Sequence, residues 1–259
     1  MPINVPLIDE RTVLAFVLVL TRLSGLFLAA PVFSQSRIPA MIKASLVLML
    51  TLVLMPLAGS VRGPDPDLGT LVLWLGREIM VGAIIGLGAT FLLAAVGTAG
   101  QMVGFQMGLT YAGAVDPQFN TQMSPVAEMQ SLMALMLFLL VEGHHQLLRA
   151  LTLSFRLIPP GTFELTEGRL HHLVVASGGL FVIALQIAAP VFVLLLLTDV
   201  AMGLMTRFIP QMNIFVVGAP LKIGVGLAML ALTAPLVGGL LTTLFTNLDE
   251  RLLRLVTGT

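Results

Sequence analysis

From Ile79 to Val115 no charged side chain interrupts the sequence. As one helix that stretch would be about 55 Å long at roughly 1.5 Å per residue, whereas the hydrocarbon core of a bilayer is about 30 Å thick. The run therefore excludes an ordinary soluble domain, and it predicts a break somewhere inside it. Composition points the same way: 57% of residues are hydrophobic, 10% are charged, and mean hydropathy is +1.02, well outside the soluble range. No segment alternates with period 2 over the length of a barrel strand, so the apolar stretches are read as helices. The fold class predicted is all-α, a polytopic membrane-type helical protein with broken helices.

Six apolar windows, at about 12–33, 41–58, 71–98, 126–141, 173–205 and 212–246, give six main helical segments. Turn chemistry separates them, in "SQSRIP", "GSVRGPDPD", "IPPGTFELTEG" and "IPQMN". A cleaved signal peptide at the amino terminus is disfavoured by Arg22 within the apolar stretch and by Pro31 directly after Ala29 and Ala30. Thirteen basic and thirteen acidic residues cancel, leaving no field that would hold nucleic acid. Without cysteine there are no disulfides, thiolate metal sites or thiol chemistry. With one Trp and one Tyr, the usual interfacial aromatic belt is nearly missing, so part of the apolar surface is expected to face protein.

Charges inside the apolar windows, namely Arg22, Arg77, Glu78 and Asp199, each need a partner or water, because an isolated charge at membrane depth is costly. Gly82, Gly86, Thr90 and Ala94 recur every four residues, and Gly100, Gly104 and Gly108 repeat the spacing. Such spacing keeps small residues on one helical face, where another backbone approaches closely, so the stripe is expected to be a packing seam. Folding 198–223 about Pro210 and Gln211 sets Asp199 level with Lys222 and Gly203 level with Gly218. That register predicts an ion pair beside a close backbone contact.

Catalytic and metal chemistry find little support. The histidine doublets, 144–145 and 171–172, point their side chains about 100° apart if helical, whereas two ligands on one helix use i, i+3 or i+4 spacing. No phosphate loop, HExxH or G-x-S-x-G motif occurs. The expectation is a non-enzyme without cofactor or metal.

Several separated motifs, in order along the chain, carry a resemblance: "APVFS" at 30–34, "GLTYAGAVDPQ" at 108–118, "EGHHQLL" at 142–148, "SFRLIPPG" at 154–161 and "RFIPQMNIFVVGAPLKIGVG" at 207–226. Together they resemble the FliR family of flagellar biosynthesis proteins, related to the SctT subunits of virulence type III secretion systems. The resemblance implies a subunit of an export gate in the bacterial inner membrane, at the flagellar basal body. Its implied partners are FliP-like and FliQ-like membrane subunits, FlhB-like and FlhA-like export components, and unfolded flagellar proteins as cargo. It implies too a FliP-like part over 1–172 fused to a FliQ-like helical hairpin and tail over 173–259.

Within that picture, residues 106–123 match a pore-facing plug loop. The plug or gate residues so implied are Phe105, Gln106, Met107, Gly108, Tyr111, Gly113, Asp116, Pro117, Phe119 and Met123. Glycines at 104, 108 and 113 would supply backbone freedom, and Phe105, Met107, Tyr111 and Phe119 bulk. Assembly or packing falls to Gly82, Gly86, Thr90, Ala94, Asp199, Gly203, Gly218 and Lys222. The rival readings are a secondary transporter of a small solute, with broken helices and buried charges at the midplane, and a structural membrane scaffold.

Overall fold

The computed structural model describes residues 10–31, 33, 38–57, 66–109, 124–209 and 214–258, and among them every regular element is helical. In chain order these are α1 (Glu10–Ala29), α2 (Ala40–Leu54) with a 3₁₀ turn at Met55–Leu57, α3 (Leu68–Gln106), α4 (Pro125–Leu140), α5 (Gly143–Leu157), α6 (Glu167–Phe208), α7 (Ile214–Thr246) and α8 (Leu248–Thr257). Four of them, α1, α3, α6 and α7, are long and apolar enough to cross a membrane. The α4–α5 pair, bent by 62°, makes a fifth candidate if counted as one span. The chain is thus an all-α, polytopic membrane protein.

Two helices lie outside the six apolar windows. Both α5 and α8 are amphipathic: α5 buries Leu147, Leu151 and Phe155 while Arg149 and Arg156 face outward, and α8 buries Leu248, Leu252 and Val256. A scan for all-round apolarity passes over such helices, whose signal is periodicity. The break expected in the charge-free run falls near its C-terminal end, where α3 stops at Gln106 and Gly108 turns left-handed. α3 is continuous for 39 residues, about 58 Å at 1.5 Å per residue, and it ends only at Gln106. It tolerates that length because protein covers it: 56% of its most apolar window is buried, so hydrocarbon thickness does not set its limit.

Local chemistry fixes the helix ends. Before α3, the Thr70 hydroxyl and then the Thr70 N–H donate to the Asp67 carboxylate, holding its pKa below the ordinary value. At the α4–α5 corner Glu142 adopts a left-handed conformation, φ 57°, which ends one helix and starts the next. Such a conformation is uncommon in a residue with a side chain. α8 stops at Gly258, also left-handed at φ 77°, with its N–H donating to Arg254 O at 2.8 Å.

The chain forms two compact units. The first comprises 1–91, 142–176 and 247–259, the second 92–141 and 177–246. In the first, α1 crosses α3 around a fully buried ion pair. Arg22 Nε donates to Glu78 Oε2 at 2.5 Å and Nη2 to Glu78 Oε1 at 3.1 Å. Nη1 reaches Ser154 Oγ and Nη2 also reaches Ile158 O, both at 3.1 Å. The Gly161 N–H donates to Glu78 Oε1 at 2.8 Å, and Arg22 Cζ lies 4.2 Å from the Phe155 ring centroid. All three guanidinium nitrogens and both carboxylate oxygens have a partner, as a buried pair requires. The network also clamps the "SFRLIPPG" corner to α1 and α3. Against α3, Leu252 and Leu255 of α8 fill the space left by Gly88. α8 is fastened to α5 by the Leu248 N–H, which donates to Gln146 Oε1 at 3.1 Å.

In the second unit the end of α3 packs with α4, α6 and α7. Its core includes Val103, Met107, Phe138, Ile187, Leu195 and Phe245, with the Phe138 and Phe245 rings edge to face at 5.4 Å.

Candidate functional site

The glycine stripe on α3 serves two seams. In the first unit, a Cβ on Gly82 would collide with Arg22 O, and one on Gly86 would lie 2.8 Å from Ala29 Cβ and Ala30 N. From the facing helix, Gly25 sits so close to Ile79 that a Cβ there would strike its carbonyl. Thr90 closes this seam by donating its hydroxyl to Ala29 O at 2.6 Å as well as to Gly86 O. α1 and α3 therefore pack backbone to backbone. In the second unit, Gly100 faces Ala127 Cα at 2.6 Å and Gly104 faces the Ser124 side chain, both measured to where a Cβ would stand. Here the close neighbour is the first turn of α4. Ala94 lies half-buried between the two stretches.

That second seam fixes where the 106–123 segment leaves and returns. α3 ends in a full C-terminal cap: the Leu109 N–H donates to Gly104 O and the Gly108 N–H to Phe105 O, both at 3.0 Å, with Gly108 at φ 81°. This pair of bonds is the Schellman arrangement, and its left-handed residue is Gly108. On return, Ser124 caps α4. Its hydroxyl accepts the Ala127 N–H at 3.1 Å, its own N–H donates to Gln101 Oε1 at 2.8 Å, and Pro125 takes the first helical position. Exit and re-entry are thus held side by side, since Gly104 belongs to the exit cap and touches Ser124 at the entry.

Side chains from α6 and α7 hold the exit from below. Gln106 Nε2 donates to Asp199 Oδ2 at 2.8 Å, and Lys222 Nζ lies 2.5 Å from Asp199 Oδ1. One carboxylate thereby joins the last residue of α3 to both helices of the C-terminal hairpin. Met107 is fully buried, and its thioether fills the notch of Gly226, where a Cβ would stand 2.8 Å from the sulfur. Phe105, on the last turn of α3, is more than half exposed. Gly203 does not share the closeness of the ion pair, since a Cβ there meets nothing within 4 Å. Helix rotation, which distance from a turn does not set, decides that difference. Gly218 is buried. Tyr111, Gly113, Asp116, Pro117, Phe119 and Met123 lie outside the described residues.

The arrangement is one of packing and anchoring. It supplies packed glycines, a helix cap, and one carboxylate shared between an amide and an ammonium. Among the described residues no three His, Cys, Asp or Glu side chains converge to hold a metal ion. His145 Nδ1 instead lies 3.6 Å from Glu142 Oε2. Sequence reasoning missed three contributors, Gln101, Ser124 and Gly226. Ser124 was signalled by the Ser-Pro step ahead of an apolar run, a helix start. Gln101 and Gly226 carry no local signal, because each acts only through a residue distant in sequence.

The family model described as bacterial export proteins, family 1, matches residues 13–248. A flagellar biosynthetic protein FliR of Escherichia coli K12 is 35% identical over 231 residues, covering 88% of this chain and 87% of that protein. The Bacillus subtilis FliR is 34% identical over 83% of this chain and 84% of its own length. The Yop proteins translocation protein T of Yersinia pestis is 27% identical over 86% and 87%.

Proposed function

Because the chain belongs to the bacterial export proteins, family 1, and is a membrane component of flagellar or type III protein export, we propose that it is one subunit of a flagellar export gate. In this reading it forms, with FliP-like and FliQ-like subunits, the pore through which unfolded flagellar proteins leave the cytoplasm. It would sit in the inner membrane at the flagellar basal body, beside FlhB-like and FlhA-like components. The fusion near residue 172, of a FliP-like part with a FliQ-like hairpin, is part of the same proposal.

Residues 106–123 act as the plug of that pore. One observation carries this assignment: the segment's two ends are pinned together by the Gly104–Ser124 contact and the Ser124 N–H bond to Gln101, while the Gln106–Asp199–Lys222 network anchors the exit. A segment so anchored can change shape while its flanking helices stay in register. The transporter and scaffold readings have no comparable observation behind them.

Purification of the tagged chain in mild detergent tests the assignment. FliP-like and FliQ-like proteins should be recovered with it. A chain that purifies alone and takes up a small solute in proteoliposomes would instead be a transporter.

A further inference from the structure

A groove of about 490 Å³ runs between α1 and α2. Its walls are apolar, with Leu20, Phe27 and Leu28 on one side and Val47 and Leu48 on the other. The α1 wall, from Leu20 to Leu28, is about 12 Å long at 1.5 Å per residue. Ser24 lies in the wall, but its hydroxyl is spent on Leu20 O at 2.8 Å. Lys43, in the first turn of α2, stands at the groove's limit on that helix.

Lys43 is the unusual member. It is half-buried, and among the described residues its ammonium has neither an ion pair nor a hydrogen bond. α2 contains no acidic residue, and the acid of α1, Glu10, is at the opposite end of that helix from the Phe27–Leu28 wall. An unpaired ammonium half-buried against apolar surface is poorly solvated, and a lysine relieves the cost by extending its head to water or to an anion. On its outer face α2 presents Met49, Leu52 and Val53, each more than half exposed, so the groove continues into surface suited to hydrocarbon.

We infer that this groove is a binding site for an anionic phospholipid of the bilayer, with an acyl chain laid between α1 and α2 and the headgroup phosphate held by Lys43. Charge complementarity chooses the occupant. A partner helix would fill the apolar walls but would need an acid placed at Lys43, whereas a phospholipid brings the long apolar body and the anion in one molecule. The inference rests on the groove and its cation, independently of the export-gate reading.

The test uses the full chain, delipidated in detergent and titrated with phosphatidylglycerol or phosphatidylcholine, with retained lipid counted by native mass spectrometry. Phosphatidylglycerol should be held about fivefold more tightly, the order of one lysine's attraction to anionic lipid. Lys43→Gln should bring it down to the phosphatidylcholine level, Lys43→Arg should keep the preference, and Ala44→Phe, which fills the groove, should lower retention of both lipids. Thermal unfolding of each variant identifies those that fold, and Lys43→Met, which also removes the charge, carries the comparison if Lys43→Gln does not fold. Equal retention of the two lipids by the parent, or displacement of phosphatidylglycerol by inorganic phosphate alone, would overturn the inference. So would sister subunits that displace the lipid from the groove.

Discussion

Arg22 and Glu78 are both fully buried, so the energy at stake lies in leaving either one alone. Removing one partner of a buried pair costs about 3–5 kcal/mol, whereas replacing both with apolar groups is often neutral. Arg22→Met should therefore lower thermal stability in detergent more than the double variant Arg22→Met with Glu78→Leu. Equal losses would show that the pair's charge is not what matters. The Asp199–Lys222 pair is partly exposed, at 34% and 22%, and a smaller coupling is expected there. Asp199→Asn, Lys222→Met and the double variant should show non-additive losses of complex yield, because Asp199 also holds Gln106; strict additivity would sink the coupling. Gly108 makes a backbone demand instead. Its left-handed φ favours glycine, so Gly108→Ala should cost about 1 kcal/mol through the α3 cap, measured as a drop in unfolding midpoint without loss of fold.

α3 shows why a single helix can be read well in one respect and badly in another. Its stripe of small residues was legible because four-residue spacing is a property of the sequence. The partners of the stripe were not, since Gly82 meets Arg22 and Gly100 meets Ala127, and only tertiary packing sets those contacts. The same distinction separates the internal charges, whose need for partners followed from desolvation, from the identity of those partners: Ser154 is 132 residues from Arg22. The need for a break in the charge-free run was legible but its place was not: α3 runs on to Gln106, near the end of that run, because α1 and α4 cover much of it. Gly86→Leu tests which surface the first seam faces. A leucine there must push Ala29 and Ala30 away, so the variant should lose protease resistance even when the chain is expressed without partners. Unchanged resistance together with failed recovery of sister subunits would mean that the stripe serves assembly alone.

For the whole molecule, the decisive question is whether residues 106–123 are a connector or a plug, and the pinned ends make the two separable. Exit and entry are fixed by contacts that do not involve the middle of the segment: the Gly108 cap, the Ser124 cap, and the Gln106–Asp199–Lys222 network. Replacing Thr110–Asn120 by a short Gly-Ser bridge leaves all of these residues in place. Halving a loop changes its closure entropy by only about 0.6 kcal/mol, so the fold and the recovery of sister subunits should be close to those of the parent. Permeability should not be. The replaced stretch contains Tyr111, Phe119 and the segment's single acid, Asp116, and with its bulk gone the purified complex should conduct ions in planar bilayers far more than the parent does. Phe105 and Met107 serve as internal controls, because the bridge leaves them on α3 and in the Gly226 notch. If the bridged variant assembles normally and conducts no more than the parent, the segment is a connector, and closure must come from elsewhere in the complex.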